Sequence, residues 1–427
     1  MRTYRQAPSP QEAVRRPAAR RAAPPRDWCG DLATRLHRCS FTAATHSDGP
    51  VKVSAGASVR DALRLRAAAL DLLGGRQPDW SDLAACSAGT WDVFLRAERC
   101  ALALKARIAA AEREVPDHVE TAATRELQRI LSARGQLLRI GQLAAAHGIP
   151  AIVLKGGVAA LASAAPVDLA DADVLVRPLQ AERLAGLLDE EGFLGTGPAG
   201  TAHLAQRIAP NAVQIEVHFA IQDIEVSDAM WQRARPLDGV VGLSRLGAAD
   251  HLWHLLVHSV VTHPHRRGSL RDVMLTAEAL YDCSPAELRE VERRIAIHPL
   301  SQTLDELLDM ARELRDGLPV RDRFRREAAA NYVFRGPLGW LGFSRFWTPA
   351  FVSALFAQLG GPAARRAEWA LAWHRPPFAS PWGFAARLER RSPRIGRWSR
   401  TAVKITRLIV VRMATWPVAL AARLLAS

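Results

Sequence analysis

The pattern of apolar and polar positions divides the chain into a helical first section, a central part of short strands and helices, and a helical last section. Apolar residues near helical spacing predict one helix over residues 58–73 and a longer one over residues 119–147. The apolar positions of the longer helix are Leu127, Ile130, Leu131, Leu137, Leu138 and Ile140. Gly148-Ile149-Pro150 then ends this helix and leads into the first strand.

The central part carries three patterns that predict strands. Residues 151–154 form a short, β-branched apolar run, which is typical of a buried strand. Residues 171–176 read DADVLV, and residues 214–218 read QIEVH with strict alternation. Further helices are predicted over residues 179–191, 248–261 and 270–281, with a short strand and loop over 193–210.

Acidic side chains stand on two of these strands at positions that share a face. Residues two apart on a strand point to the same side, so Asp171 pairs with Asp173, and Glu216 with His218. Three carboxylates beside a glycine turn predict a site for divalent cations, Mg²⁺ or Mn²⁺, which prefer oxygen ligands. We expect Asp171, Asp173 and Glu216 to be the metal ligands and the catalytic residues, with Glu216 also able to take a proton from an acceptor.

The residues after the first strand are suited to bind phosphate. Gly156 and Gly157 would let backbone N–H groups approach phosphate groups at a helix start, and Lys155 would add a positive charge. Crowded carboxylates repel one another, so alanine at either Asp171 or Asp173 is expected to stabilise the metal-free protein.

The ordered set LKGG, DADVLV and VQIEVH resembles the polymerase-β-like nucleotidyltransferase superfamily, and within it the bacterial nucleotidyltransferase family proteins. The similarity extends through HLWHLLVH and SLRDVMLTAEAL to about residue 282. It implies an α+β fold with an α/β core, in which a mixed sheet is flanked by helical N-terminal and C-terminal regions. Val167 stands where that group usually has arginine, and Glu216 stands where it usually has aspartate.

The resemblance implies an enzyme that moves a nucleoside monophosphate from a nucleoside triphosphate, such as ATP, to an acceptor. The phosphates bound by Lys155, Gly156 and Gly157 are then those of the nucleotide, and His218 is expected to face the nucleotide or to support the metal ligands. The acceptor could be a small molecule, a peptide or protein side chain, or a sugar, and the tailoring of a natural product is one expectation. The alternative is a scaffold of the same fold that binds a nucleotide or a partner without catalysis. The two departures, at Val167 and Glu216, keep this alternative open.

Several polar residues after the third strand have two interpretations. His251, His254 and His258 share one helix face, where packing or hydrogen bonding is favoured over zinc binding. The resemblance includes His254 and His258, which implies a place near the cleft. Arg271 and Asp272 form either a bracing ion pair or a substrate contact. The basic loop 263–267 is either a solvated turn or a clamp on a triphosphate or an anionic acceptor.

The net charge of +14 lies mostly at the two ends of the 427 residues. Residues 1–50 hold nine arginines against four acids, and residues 387–427 hold ten basic residues against one acid. Basic ends on a balanced middle do not favour a nucleic-acid partner. Five cysteines without a CxxC pair, and no apolar signal segment at the start, indicate a reducing, cytoplasmic location.

These patterns predict five segments. Residues 1–50 are a disordered basic extension, 51–147 a helical section, 148–285 the nucleotidyltransferase core with trailing helices, 286–385 a helical region, and 386–427 a basic amphipathic helix. For the last segment, docking on the protein is favoured over peripheral membrane contact. Aromatic residues of the fourth segment and its surroundings are expected in the core: Phe334, Trp340, Phe343, Phe346, Trp347 and Phe351.

Overall fold

The computed structural model describes residues 58–163, 167–196, 199–200, 202–209, 212–336, 349–361, 365–370, 409 and 412–426. The predicted extension over residues 1–50 lies outside these described residues, as do residues 386–408 of the predicted last segment. Four of the predicted core aromatics also lie outside them: Trp340, Phe343, Phe346 and Trp347. The other two, Phe334 and Phe351, are buried with ring centroids 5.8 Å apart.

A mixed sheet of seven strands forms the centre of the fold, in the order β3-β4-β5-β2-β1-β7-β6. The strands are β1 (Ala151–Val153), β2 (Asp171–Val176), β3 (Leu194–Thr196), β4 (Gln206–Ile208), β5 (Gln214–His218), β6 (Arg235–Pro236) and β7 (Leu243–Arg245). β1, β2 and β5 lie where strand patterns were predicted, and the short strand predicted over residues 193–210 is two strands, β3 and β4. β6 and β7 were not predicted, because two or three residues are too few to show an alternating pattern.

The register between β2 and β5 decides where the acidic side chains lie. These two strands are parallel neighbours, with Asp171 opposite Gln214 and Asp173 opposite Glu216. Since side chains alternate along a strand, the three acids share one face of the sheet. β1 pairs antiparallel with β2 on the other side, and this pairing brings the end of β1 beside Asp173.

Five helices precede the sheet, and the first and last of them are the two helices that the apolar spacing predicted. The five are α1 (Val59–Leu73), α2 (Trp80–Ala84), α3 (Ala88–Glu98), α4 (Ala101–Ala110) and α5 (Asp117–Ala146). Ile130, Leu137 and Ile140 of α5 are buried, whereas Leu131 and Leu138 are 41% and 37% exposed. The apolar stripe of α5 is therefore narrower than the sequence pattern suggested.

The other helices accompany and follow the strands: α6 (Gly156–Ala162), α7 (Pro178–Glu190), α8 (Asp228–Gln232), α9 (Ala248–Val257), α10 (Leu270–Asp282), α11 (Pro285–Ala296), α12 (Ser301–Arg315), α13 (Arg325–Arg335) and α14 (Pro349–Leu359). The helix predicted over residues 248–261 is α-helical only to Val257. It continues as a π-helical turn, His258–Thr262, and a 3₁₀ turn follows over Pro264–Arg266. Such π-helical turns occur often at functional sites.

The first and last helical sections share one hydrophobic core, although the sheet separates them in the sequence. Leu63 and Phe94 lie in the same buried cluster as Leu307 and Tyr332. A buried ion pair also joins the sections: Arg66 Nη1 lies 2.8 Å from Glu98 Oε2, and Arg66 Nε lies 2.8 Å from Asp322 Oδ2. These contacts form a helical body against which one side of the sheet region packs.

Residues 412–426 are helical and dock on this body through one face. Thr415, Val418, Ala419 and Ala422 are buried at helical spacing, and the three apolar residues belong to the same hydrophobic cluster. Arg325 Nε donates to the carbonyl of Ala426 at 3.1 Å. The docking favoured by the sequence is thus found for this part of the last segment. None of the described helices combines the length and apolar character that crossing a membrane requires.

Candidate active site

The turn between β1 and α6 positions Lys155. Its backbone has φ 50° and ψ −128°, a conformation that residues with a Cβ rarely adopt. The turn is held by the N–H of Gly157, which donates to the Leu154 carbonyl at 3.0 Å, and by the N–H of Leu154, which donates to the Asp173 carbonyl at 3.0 Å. Lys155 Nζ then donates to Asp173 Oδ1 at 2.9 Å.

Three buried side chains of β2 and β5 form the centre of the site. One ligand atom each from Asp173, Glu216 and His218 lies within 4.8 Å of the other two. His218 Nε2 is 2.8 Å from Asp173 Oδ1 and 3.3 Å from Glu216 Oε2. Gln206 Nε2 of the neighbouring strand donates to Glu216 Oε1. His218, predicted to face the nucleotide or to support the ligands, thus bridges the two carboxylates.

Asp171 lies at the start of β2, is partly buried, and stands outside the three-residue group. Burial raises the pKa of Asp171, and the neighbouring charges of Asp173 and Glu216 raise it further. The predicted trio of acids is therefore present on one face, but its members have unequal surroundings.

The hydrogen bonds of Asp173 shift its pKa in the opposite direction from that of Asp171. Burial alone would raise the pKa of Asp173, but Lys155 and His218 hold this pKa well below its usual value. The pKa of Glu216 is also lowered, because hydrogen bonds from His218 and Gln206 outweigh burial. The expectation that alanine at Asp173 stabilises the metal-free protein assumed uncompensated repulsion, whereas Lys155 and His218 compensate this charge.

The chemistry of these donors fits a divalent cation. Two carboxylates supply oxygen ligands of the kind that Mg²⁺ and Mn²⁺ prefer, and the imidazole suits later transition metals. The pKa of His218 is raised because its bonds to Asp173 and Glu216 outweigh burial. An imidazole must lose its proton to bind a metal, so Asp173 and Glu216 are the better ligands here.

Packing provides a reason for the two glycines. A Cβ on Gly157 would lie 2.6 Å from Val153 Cγ2, and a Cβ on Gly156 would lie 2.9 Å from Arg271 Nη2. Both distances are too short for real contacts, so neither position accepts a larger residue without a shift. Close approach of phosphate to these amides stays a prediction, and the Gly157 N–H is already bonded within the turn.

Histidines from α9 and the following turns form a row beside Lys155. The ring centroids of His254 and His258 are 6.0 Å apart, those of His258 and His263 are 4.4 Å apart, and those of His263 and His265 are 5.4 Å apart. Burial, and next the charge of Lys155, lowers the pKa of His254 and His258 well below the usual value. Within the described residues, the group of three potential metal ligands contains no histidine of α9. The row is therefore packed and neutral.

Arg271 and Asp272 brace the site from α10. Arg271 Nη1 donates to Asp272 Oδ1 at 2.9 Å, and Arg271 Nε donates to the Asp168 carbonyl just before β2. The bracing ion pair, one of the two interpretations from the sequence, is thus observed. Arg267 of the basic loop is likewise internal, since it donates to the Val260 carbonyl and pairs with Glu368.

Asp168 was not singled out in the sequence, although it organises the segment before β2. Its buried carboxylate accepts from Arg99 Nε and Arg129 Nε, each at 2.7 Å. The available signal was a lone acid inside the apolar run VDLA. Val167, which stands where arginine is usual, is buried in the helical core. The positive charge around this segment comes from Arg99 and Arg129, which are distant in sequence.

Comparison with curated proteins gives no match. A family model, described as an uncharacterised nucleotidyltransferase, matches residues 94–316, which is just over half of the chain. The matched part begins within α3, ends just after α12, and includes all seven strands with the cluster of Asp173, Glu216 and His218. The chain therefore belongs to this family of uncharacterised nucleotidyltransferases.

Proposed function

We propose that the protein transfers a nucleoside monophosphate from a nucleoside triphosphate to an acceptor hydroxyl, in a reaction that requires Mg²⁺ or Mn²⁺. The observation that carries the proposal is the convergence of Asp173 and Glu216 from two parallel strands in a chain of this family. Lys155 beside Asp173 supplies the positive charge that a triphosphate needs close to its metal.

The proposed reaction forms one bond and breaks one. The acceptor oxygen bonds to the α-phosphorus, the bond from this phosphorus to the β-phosphate's bridging oxygen breaks, and pyrophosphate leaves with that electron pair. The acceptor's proton goes to a carboxylate. Asp171 suits this role better than Glu216, because the pKa of Asp171 is raised by burial while hydrogen bonds lower that of Glu216.

Asp173 and Glu216 would hold the metal, with Asp171 beside them. When bound, the metal neutralises charge on the α-phosphate and orients the acceptor. Asp173 Oδ1 accepts from both Lys155 Nζ and His218 Nε2, so a cation at this oxygen competes with their positive charges. Lys155 displaced from Asp173 would be available to the phosphates.

The acceptor classes in the proposal are a small molecule, a peptide or protein side chain, and a sugar. A polynucleotide is not proposed, since the basic excess of the sequence lies at its ends. The natural-product context stays part of the proposal for a small-molecule acceptor.

One observation favours the alternative, a scaffold that binds a nucleotide without chemistry. The ammonium of Lys155 already pairs with the carboxylate of Asp173 at 2.9 Å. This is the arrangement of a carboxylate whose role is structural. The two functions differ in whether a metal ion strengthens the binding of nucleoside triphosphate.

Calorimetric titration separates them. ATP, GTP, CTP and UTP are titrated with and without Mg²⁺ or Mn²⁺ into the wild-type protein, Asp173→Asn and Glu120→Gln. Glu120 is an exposed acid at the start of α5 and serves as the matched control. We expect metal-dependent binding of at least one triphosphate, lost in D173N and kept in E120Q, with pyrophosphate release as the second readout. Triphosphate binding that is changed neither by the metal nor by D173N would support the scaffold.

A further inference from the structure

Several arginines lie near Asp171 and the segment that precedes it. Arg99 and Arg129 share the single carboxylate of Asp168, and Arg271 pairs with Asp272. Two more arginines lie in the same electrostatic neighbourhood, Arg266 from the 3₁₀ turn and Arg335 from the end of α13. Arg266 is acted on by the acids Asp272 and Asp171, and Arg335 by the acid Glu98.

Arg266 is the member of this group without an ion pair among the described residues. Its Nε is buried and has no hydrogen-bond partner there. A buried donor without a partner costs free energy, and more so when it is charged. Arg267, the next residue, shows the contrasting arrangement, because the Val260 carbonyl and Glu368 satisfy its guanidinium.

The arginines also repel one another. Burial lowers the pKa of Arg266, and the charges of Arg271 and Arg99 lower it further. Burial, together with Arg96, Arg99 and Arg266, lowers the pKa of Arg335 to about 10. Among the described residues, Arg266 therefore has repelling arginine neighbours and no ion pair that balances its charge.

This charge is open to a ligand on the side of Asp171. Asp171, Arg99, Arg266 and Arg335 are all partly exposed, whereas Asp173 and Glu216 behind them are buried. The charge of Arg266 acts on Asp171 and on His263, so Arg266 lies near the start of β2 and near the histidine row. An anion that reaches Asp171 from outside meets these guanidinium groups.

We propose that Arg266, with Arg99 and Arg335 beside it, binds a phosphate group of the substrate next to Asp171. This inference rests on the proposed function for the identity of the substrate. A guanidinium binds phosphate through two parallel N–H donors, and the unpartnered Nε of Arg266 is one such donor. The phosphate comes either from the β- and γ-positions of the nucleoside triphosphate or from a phosphorylated acceptor.

The test compares Arg266→Gln with Arg293→Gln, whose side chain is 76% exposed on α11. ATP, AMP and inorganic tripolyphosphate are titrated calorimetrically, each with and without Mg²⁺. We expect R266Q to weaken the binding of tripolyphosphate about tenfold or more, which equals about 1.4 kcal/mol, and R293Q to leave it unchanged. Thermal unfolding without anions should show R266Q at least as stable as the wild type, because the substitution removes an unbalanced charge.

Two further arms identify the source of the phosphate. Weaker binding of ATP and tripolyphosphate with unchanged AMP assigns Arg266 to the triphosphate. Unchanged ATP binding, with weaker binding of inorganic phosphate to the protein saturated with Mg²⁺ and a non-hydrolysable ATP analogue, assigns it to the acceptor. If R266Q changes neither the binding of ATP and tripolyphosphate nor the binding of inorganic phosphate, the inference is overturned. It is also overturned if R266Q destabilises the anion-free protein.

The same titrations keep this inference separate from the proposed function. Asp173→Asn removes a ligand of the proposed metal but no arginine, so its metal-free binding of tripolyphosphate should be at least as strong as in the wild type. If metal never strengthens ATP binding but R266Q still weakens tripolyphosphate binding, the proposed function fails and the phosphate site stands. If metal dependence is found and R266Q has no effect, the phosphate site fails alone.

Discussion

Replacing the two aspartates of β2 separately should move the stability of the metal-free protein in opposite directions. Asp173→Asn removes a carboxylate that binds Lys155 Nζ at 2.9 Å and His218 Nε2 at 2.8 Å. Asp171→Asn removes a carboxylate whose pKa is raised, first by burial and then by Asp173, so its charge costs free energy in the folded state. We expect D173N to lower the free energy of unfolding and D171N to raise it.

The expected loss for Asp173→Asn is about 3 kcal/mol. Removing one partner of a buried ion pair costs roughly 3–5 kcal/mol, because the other charge stays buried without compensation. The side chains of Lys155 and Asp173 are 11% and 3% exposed, so solvent screens the pair little. Asp171 remains near Lys155, and the asparagine oxygen can still accept a hydrogen bond, which places the cost at the lower end.

Thermal unfolding at pH 7 with EDTA measures the difference, with Glu120→Gln as the exposed control. One kcal/mol shifts the midpoint by about 2–4 °C in domains of 150–250 residues, so D173N should unfold roughly 6–12 °C below the wild type. D171N should unfold above the wild type, and E120Q should stay close to it, as surface substitutions do.

The dependence on pH checks the cause of these shifts. The folded pKa of Asp173 lies well below its unfolded value, so its stabilisation is complete above about pH 4 and is lost as pH falls through the folded pKa. The folded pKa of Asp171 is raised, so its cost disappears as pH falls towards the unfolded value. Both differences should narrow in acid. Equal shifts of D171N and D173N in one direction would refute the reasoning.

Two further predictions concern packing and a second buried acid. Gly157→Ala should lower the free energy of unfolding by roughly 1–3 kcal/mol, because its Cβ would meet Val153 and Leu137. Gly135→Ala is the matched control, at an exposed helical position with nothing within 4 Å of the added Cβ. It should stabilise the protein by about 0.5–1 kcal/mol. Burial raises the pKa of Glu126 to about 7 from its ordinary 4.5. The free energy of unfolding should therefore fall by roughly 3 kcal/mol in total as pH rises between these two pKa values. Glu126→Gln should remove this slope, and an unchanged slope would show that another group causes it.

The strand and helix pattern could be predicted from the sequence where the elements are long or strictly alternating. Residues 214–218 form β5 as predicted, and the period of two placed Asp171 with Asp173 and Glu216 with His218. The register of β2 and β5 then puts these side chains on one face of the sheet. β6 and β7 are too short to carry a pattern, and the change from α- to π-helix after Val257 does not alter the apolar spacing. Local periodicity therefore predicted which side chains share a face of the sheet, but not the short strands β6 and β7 on the other side of β1.

The partners of the charged residues could not be predicted, because they come from distant parts of the chain. Asp168 binds Arg99 and Arg129, which are 69 and 39 positions away. Lys155 binds Asp173 from a turn in which its own φ is positive, and the sequence pattern does not show that conformation. For the same reason the sequence suggested simple repulsion among the acids, whereas two positive partners compensate Asp173.

The charges of the site fit a metal–nucleotide complex better than they fit either component alone. A bare triphosphate would meet Asp171 and Glu216, while a bare cation would compete with Lys155 for Asp173. On the proposed function the complex would supply both missing charges, since its metal would replace Lys155 at Asp173 and its phosphates would receive Lys155 and Arg266. On the proposed function, metal and nucleotide should therefore each strengthen the binding of the other, and by the same factor, because binding linkage is reciprocal.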